Sequence, residues 1–133
     1  MEKKLIKEAI KVRENSYSPY SNFKVGAAII TENDEIYTGC NIENVAYSPS
    51  NCAERTAIFK AVSEGKTNFK AIAIVGGKNK LEECFPCGVC RQVLVEFCDL
   101  DYFKVIIATS EENYNVYSLN DIMPHSFSKS SLK

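Results

Sequence analysis

Cys52 and Glu54 stand two apart in Ser50-Asn51-Cys52-Ala53-Glu54-Arg55, and Cys87 and Cys90 stand three apart in Pro86-Cys87-Gly88-Val89-Cys90. Together these segments offer three thiolates to one metal ion and set a carboxylate beside it. Three protein ligands leave a tetrahedral ion one open position. An open position with a carboxylate nearby suits a catalytic metal rather than a structural one.

Such residues need elements to aim them. Residues 52–64 carry Ala53, Ala57, Ile58, Ala61 and Val62 on one face and stop at Gly65, which predicts a helix. Residues 87–98 place Val89, Val93 and Phe97 on one helical face. Cys87 and Cys90, at i and i+3, share a face and can reach one ion. Both ligand segments therefore open helices, where negative charge is favoured and thiol pKa is lowered. Two helix starts would converge on one cation.

Around them, Leu5, Ile6, Ala9 and Ile10 predict an amphipathic helix over 2–15, followed by a Ser/Pro/Tyr-rich loop over 17–22. Strands are expected at 24–31 and 35–40, joined by the turn Glu32-Asn33-Asp34, and residues 41–51 read as irregular. A short buried strand, 71–75, closes at Gly76-Gly77; 104–109 reads as a central strand and 113–117 as a more exposed one. The Ser/Lys-rich tail from Ser126 is expected to be loose, Phe127 excepted. Helices alternating with buried strands imply a layered α/β domain, its sheet covered on both faces. No repeat or linker divides residues 1–133, so one domain is expected.

Composition narrows the function classes. The 133 residues are 45% hydrophobic and 25% charged, an ordinary globular mixture. Net charge is −1 with no run of like charges, so the basic stripe of a nucleic-acid binder is missing and a small-molecule partner is expected. No apolar run approaches the roughly 20 residues of a membrane span. The N-terminal residues lack a signal peptide's apolar region, so the cytoplasm is the expected location. In that setting six cysteines point to metal ligation more than to disulfides.

Competing local readings stay open at this level. Cys-x-x-Cys alone also fits a redox pair or half of a zinc ribbon, although a ribbon needs a second such pair and none exists. Cys84, Cys87 and Cys90 repeat every three residues like an iron–sulfur ligand run, but Leu94 stands where the next thiol would be needed. Cys40, Cys84 and Cys98 read as small buried apolar residues. Asn51-x-x-Glu54 fits a helix capping box, which would make Glu54 structural. Arg55 and Arg91 each follow a ligand segment, and either could donate to the sulfurs or stand exposed. His125, the only histidine, reads as a surface residue.

The chain resembles a known family. The runs Tyr17-Ser18-Pro19-Tyr20-Ser21-Asn22-Phe23-Lys24-Val25-Gly26-Ala27-Ala28, Asn41-Ile42-Glu43-Asn44, Cys52-Ala53-Glu54-Arg55-Thr56-Ala57 and Pro86-Cys87-Gly88-Val89-Cys90-Arg91-Gln92 are similar to the small nucleoside cytidine deaminases, in the family's order and from about Leu5 to Phe127. The resemblance implies a three-layer α-β-α sandwich with a mixed five-stranded sheet. It implies one zinc ion per subunit on Cys52, Cys87 and Cys90, with Glu54 as general acid and base. It matches Phe23 to the ring packed on the pyrimidine, Asn41 and Glu43 to the grip on the ribose 3′-hydroxyl, and Ala53 to a backbone N–H beside the reacting oxygen. Arg55 matches the arginine on the thiolates. Tyr47 and Phe127 match aromatics that complete a neighbouring subunit's site in a homotetramer. The implied activity is hydrolytic deamination of cytidine and 2′-deoxycytidine in pyrimidine salvage. Rival readings are an aminonucleoside-antibiotic deaminase of the blasticidin S type, a polynucleotide deaminase, a structural zinc module with four protein ligands, and a redox-sensing thiol protein.

Overall fold

Alternation along three strands decides the architecture. A computed structural model describes residues 1–132. In β1 (Lys24–Thr31), Ala27 and Ile29 enter one core while Ala28 and Ile30 enter another. β3 (Phe69–Gly77) divides likewise, Ile72 and Ile74 against Ala71, Ala73 and Val75. β4 (Lys104–Ala108) divides into Val105 and Ile107 against Ile106 and Ala108. Strands apolar on both faces require cover on both faces. α1 (Glu2–Arg13) supplies one layer through Leu5, Ile6 and Ala9. α2 (Ala53–Ser63) and α3 (Gly88–Phe97) supply the other through Ala57, Ile58, Ala61, Leu94 and Val95. The result is the expected α-β-α sandwich.

With β2 (Ile36–Cys40) and β5 (Tyr114–Ser118), the sheet runs in the order β2-β1-β3-β4-β5. Only β3 and β4 pair in parallel, so the sheet is mixed. A parallel pair needs a crossover, and α3 is that crossover. It follows the carboxyl end of β3, the end where α/β sheets place ligands. Among the described residues no helix is long and apolar enough to cross a membrane.

Three elements depart from the sequence reading. β3 continues through Gly76 and Gly77, which pair with Val25 and Lys24 instead of ending the strand. Gly76 is glycine for lack of room: a Cβ there would stand 2.8 Å from Cys84 Sγ and 3.1 Å from a Phe23 ring carbon. A single helical turn, α4 (Leu119–Ile122), forms where none was expected, held by a capping box between Ser118 and Asp121. The tail expected to be loose includes a 3-10 turn at Lys129–Leu132.

Gly39 sets how closely β2 approaches the first turns of α2. A Cβ on Gly39 would sit 2.5 Å from the Ala57 nitrogen and 2.8 Å from the Ala53 oxygen. These are backbone atoms of the helix that carries Glu54, and they have no rotamer by which to retreat. Gly39→Ala is therefore expected to lower stability by about 1–3 kcal/mol in denaturant unfolding, as overpacking does. An unchanged midpoint would show that β2 and α2 have slack.

Candidate active site

The three thiols meet because two helices begin at cysteines. Cys52 is the N-cap of α2 and Cys87 the N-cap of α3, both with extended backbone and neither capping its helix with its side chain. Cys90 follows one turn into α3. The three sulfurs lie within 4.8 Å of one another, Cys52 to Cys87 at 3.8 Å and Cys87 to Cys90 at 3.6 Å. A tetrahedral ion with Zn–S bonds of about 2.3 Å spaces its sulfurs by about 3.8 Å, so the donor set fits zinc. All six cysteines are free thiols. Among the described residues no other cluster of metal-binding groups forms, and Cys84 stays outside this one, which removes the iron–sulfur reading.

Charge explains the neighbours. Arg55 Nη2 donates to Cys52 Sγ at 3.3 Å. The Cys90 thiol beside it, and then Arg55, bring the Cys52 thiol down to about 5. Cys90 is pushed the other way, first by the same pairing with Cys52 and then by burial. Held this close, Cys52 and Cys90 oppose each other's ionisation, and a divalent cation is what allows both to be thiolates together. Arg91, the other candidate partner, does not reach the sulfurs. Its Nε donates to the Pro86 carbonyl at 2.7 Å and its Nη1 to the Ile122 carbonyl at 2.5 Å, which pins the residue before Cys87 to the end of α4.

Glu54 is 4% exposed. Burial, with the Cys52 thiolate adding to it, raises its carboxyl to about 7. The capping-box alternative fails, because the N-cap is Cys52 and it makes no side-chain cap bond. Asn51 Nδ2 donates instead to Thr56 Oγ1 at 3.1 Å. A buried carboxyl poised near neutrality is suited to taking up and returning protons.

Glu54, Cys52 and Cys87 open onto one cavity of about 440 Å³, with Asn41, Glu43, Tyr47, Ala53 and Arg55 also in its wall. Other hollows are as large, about 460 Å³ by Glu32 and Lys66 and about 770 Å³ by Ser16 and Lys78. Neither holds a thiol or a buried carboxylate, so chemistry and not size marks the site. Phe23 is not in the cavity wall; its ring edge lies close to Gly76, as does Cys84, which does line the cavity. Burial pushes the Cys84 thiol up to about 12, and Cys40 and Cys98 are buried in the core. Asn41 Oδ1 accepts from Val25 N at 2.9 Å and Ser16 Oγ at 2.5 Å, while its Nδ2 donates to the Phe23 carbonyl at 2.8 Å. Glu43 accepts from Tyr20 N at 3.0 Å, Ser21 N at 3.2 Å and Ser21 Oγ at 2.5 Å. These donors, the Ser21 hydroxyl first, hold its carboxyl below the usual range.

Tyr47 stands 74% exposed, edge-on to Tyr20. Phe127 lies apart from the cavity wall, 61% exposed, with its carbonyl accepting from Gln92 Nε2 at 2.8 Å. His125 is on the surface as expected. The sequence reading missed Phe85, which lines the cavity and meets Tyr117 edge-on at 5.5 Å, and the hydroxyls of Ser16 and Ser21. Their partners are 22 to 32 residues away in sequence, beyond any local pattern.

Comparison with known proteins agrees with this geometry. The family model for the cytidine and deoxycytidylate deaminase zinc-binding region matches residues 1–108. A cytidine deaminase of Sporosarcina psychrophila is 48% identical over 97% of this chain and 93% of its own length. One of Halalkalibacterium halodurans is 44% identical over 92% of this chain and 91% of its own length. The crystal structure of cytidine deaminase from Burkholderia pseudomallei superposes with a TM-score of 0.84 at 42% identity, covering 93% of this chain and 97% of that one.

Removing one of three ligands tests the cluster directly. Cys87→Ala is expected to lose zinc by metal analysis and to melt at a lower temperature, since structural-type zinc binding contributes on the order of 10 kcal/mol to folding. A variant purified with full zinc content would contradict the assignment.

Proposed function

Since the chain belongs to the cytidine and deoxycytidylate deaminase zinc-binding family, we propose that it hydrolyses cytidine and 2′-deoxycytidine to uridine and 2′-deoxyuridine, releasing ammonia. One observation carries the chemistry: a buried carboxyl and two members of a three-thiol cluster open onto one cavity.

Cys52, Cys87 and Cys90 would hold the zinc. When bound, zinc supplies Lewis acidity that brings the pKa of a coordinated water toward about 7. Glu54 takes a proton from the attacking water and delivers it to N3 of the cytosine, which makes C4 electrophilic. After attack at C4, Glu54 carries the remaining hydroxyl proton to the exocyclic amine, which leaves as ammonia. Water has then replaced the amine, and Glu54 is returned to its starting state. Arg55 offsets the net negative charge of a divalent ion on three thiolates. The Ala53 backbone N–H is assigned to the reacting oxygen. Phe23 is assigned to the pyrimidine face, and Asn41 and Glu43 to the ribose 3′-hydroxyl.

The same reading includes a homotetramer in which Tyr47 and Phe127 complete a neighbour's site; both are aromatic and stand in solvent on one chain. It includes a role in pyrimidine salvage in the cytoplasm, where the ligand thiols stay reduced. The blasticidin S alternative is not favoured, because the curated relatives above are cytidine deaminases. A four-ligand structural module would leave Glu54 without a role.

Zinc-loaded protein should lower the absorbance on the long-wavelength side of the cytidine band as uridine forms, and Glu54→Gln should keep its zinc while losing about 10²–10⁴-fold in turnover. Near-normal deamination by that variant would sink the proton-transfer role. Truncation after Ser126 should raise KM or abolish activity without loss of zinc; unchanged kinetics would count against an intersubunit role for Phe127.

A further inference from the structure

The two side chains assigned to the sugar are already heavily engaged by protein. An amide oxygen accepts two hydrogen bonds, and both at Asn41 are taken, by Val25 N and Ser16 Oγ. One of its two N–H donors is spent on the Phe23 carbonyl, so a single donor is left for a ligand. Glu43 is acceptor-only, with about four lone-pair sites, and three are taken by Tyr20 N, Ser21 N and Ser21 Oγ. One donor and one acceptor remain on the pair. That is the complement of a single hydroxyl, which accepts one bond and donates another.

Ser21 has a position in this arrangement that no other residue shares. Its hydroxyl donates to Glu43 Oε2 at 2.5 Å and accepts from Phe23 N at 3.0 Å. One Oγ therefore links the carboxylate assigned to the sugar with the backbone of the ring assigned to the base. The loop is also held by Tyr17 N to the Asn41 carbonyl at 3.1 Å and Glu43 N to the Tyr17 carbonyl at 2.8 Å. Backbone N–H groups of Tyr20 and Ser21 tie the loop to Glu43 Oε1, and the exposed Ser21 hydroxyl holds the other oxygen, Oε2.

The geometry points to Ser21 as a positioning residue for substrate: its hydroxyl orients Glu43 so that the free acceptor meets the sugar hydroxyl, and it fixes the spacing from Glu43 to Phe23. It acts through Glu43 and touches no reacting atom. The inference rests on the deaminase reading and deepens it, by making sugar discrimination depend on a residue outside the cavity wall.

The test compares cytidine with 3′-deoxycytidine, which lacks the hydroxyl, on zinc-loaded wild type, Ser21→Ala and Ser21→Thr. Wild type is expected to prefer cytidine in kcat/KM. Ser21→Ala should narrow that preference roughly tenfold, the scale of one hydrogen bond to a charged group. The change should fall on KM for cytidine, with kcat within about threefold and zinc content unchanged. Ser21→Thr, which keeps a hydroxyl, should restore the preference. A Ser21→Ala enzyme as discriminating as wild type, or one equally impaired on both substrates, would overturn the proposal and leave the deaminase reading standing. A zinc-loaded wild type that deaminates neither substrate would overturn the deaminase reading, and this inference with it.

Discussion

Like charges held close together are the constraint on which this structure depends. Three sulfurs within 4.8 Å, with a buried carboxyl beside them, form a cluster that cannot stay fully ionised without compensating positive charge. The fold answers with positive charge from several directions. Two helices begin at the cluster, where their dipoles favour negative charge, Arg55 donates to Cys52, and a divalent cation supplies the rest. Each source demands something of the scaffold. α2 begins at Cys52 close against β2, which is why Gly39 has no side chain. α3 begins at Cys87, and the residue before it is tied through Arg91 to the end of α4. The packing that makes a sandwich and the electrostatics that make a metal site are satisfied by the same two helix starts.

Much of this was legible in the sequence because it is periodic or chemical. The apolar run of β4, the helical spacing in α2 and the cysteine spacings follow from local geometry, and the structure keeps them; α3 forms as a helix but buries Leu94 and Val95, leaving Val89 exposed. What was not legible depends on neighbours distant in sequence. Gly76 and Gly77 look like a strand end until β1 is laid beside them to receive their pairing. α4 is too short to show a period, and only its Ser118–Asp121 box could have signalled it. Arg91 looks like a second partner for the sulfurs, yet it is drawn to two carbonyls, one of them 31 residues away. The Asn51–Glu54 capping box is a local pattern overruled from outside: Cys52 takes the N-cap, Asn51 turns to Thr56, and Glu54 goes into the interior.

The two ends of the cavity are built differently. The inner end, with the thiols, Glu54 and Arg55, rests on helix N-termini and is fixed by packing. The other end is made of connecting chain within residues 41–51, braced from outside the wall by residues 16–23 through side-chain to backbone hydrogen bonds. Backbone strain collects there too: Asn22 at φ 59° and Tyr47 at φ 62° are left-handed, an outlier for a bulky residue such as Tyr47. Such strain persists only where surrounding structure over-determines it, and the Tyr47 backbone is held by its own turn, its N–H donating to the Asn44 carbonyl at 2.9 Å and its carbonyl accepting from Ser50 N at 2.8 Å. The side chain, edge-on to Tyr20 and 74% exposed, is left as the surface that the proposed assembly would cover. In the proposed assembly the work would be divided: the chemistry of the amine would stay within one chain, and closure over the sugar would fall to a neighbour.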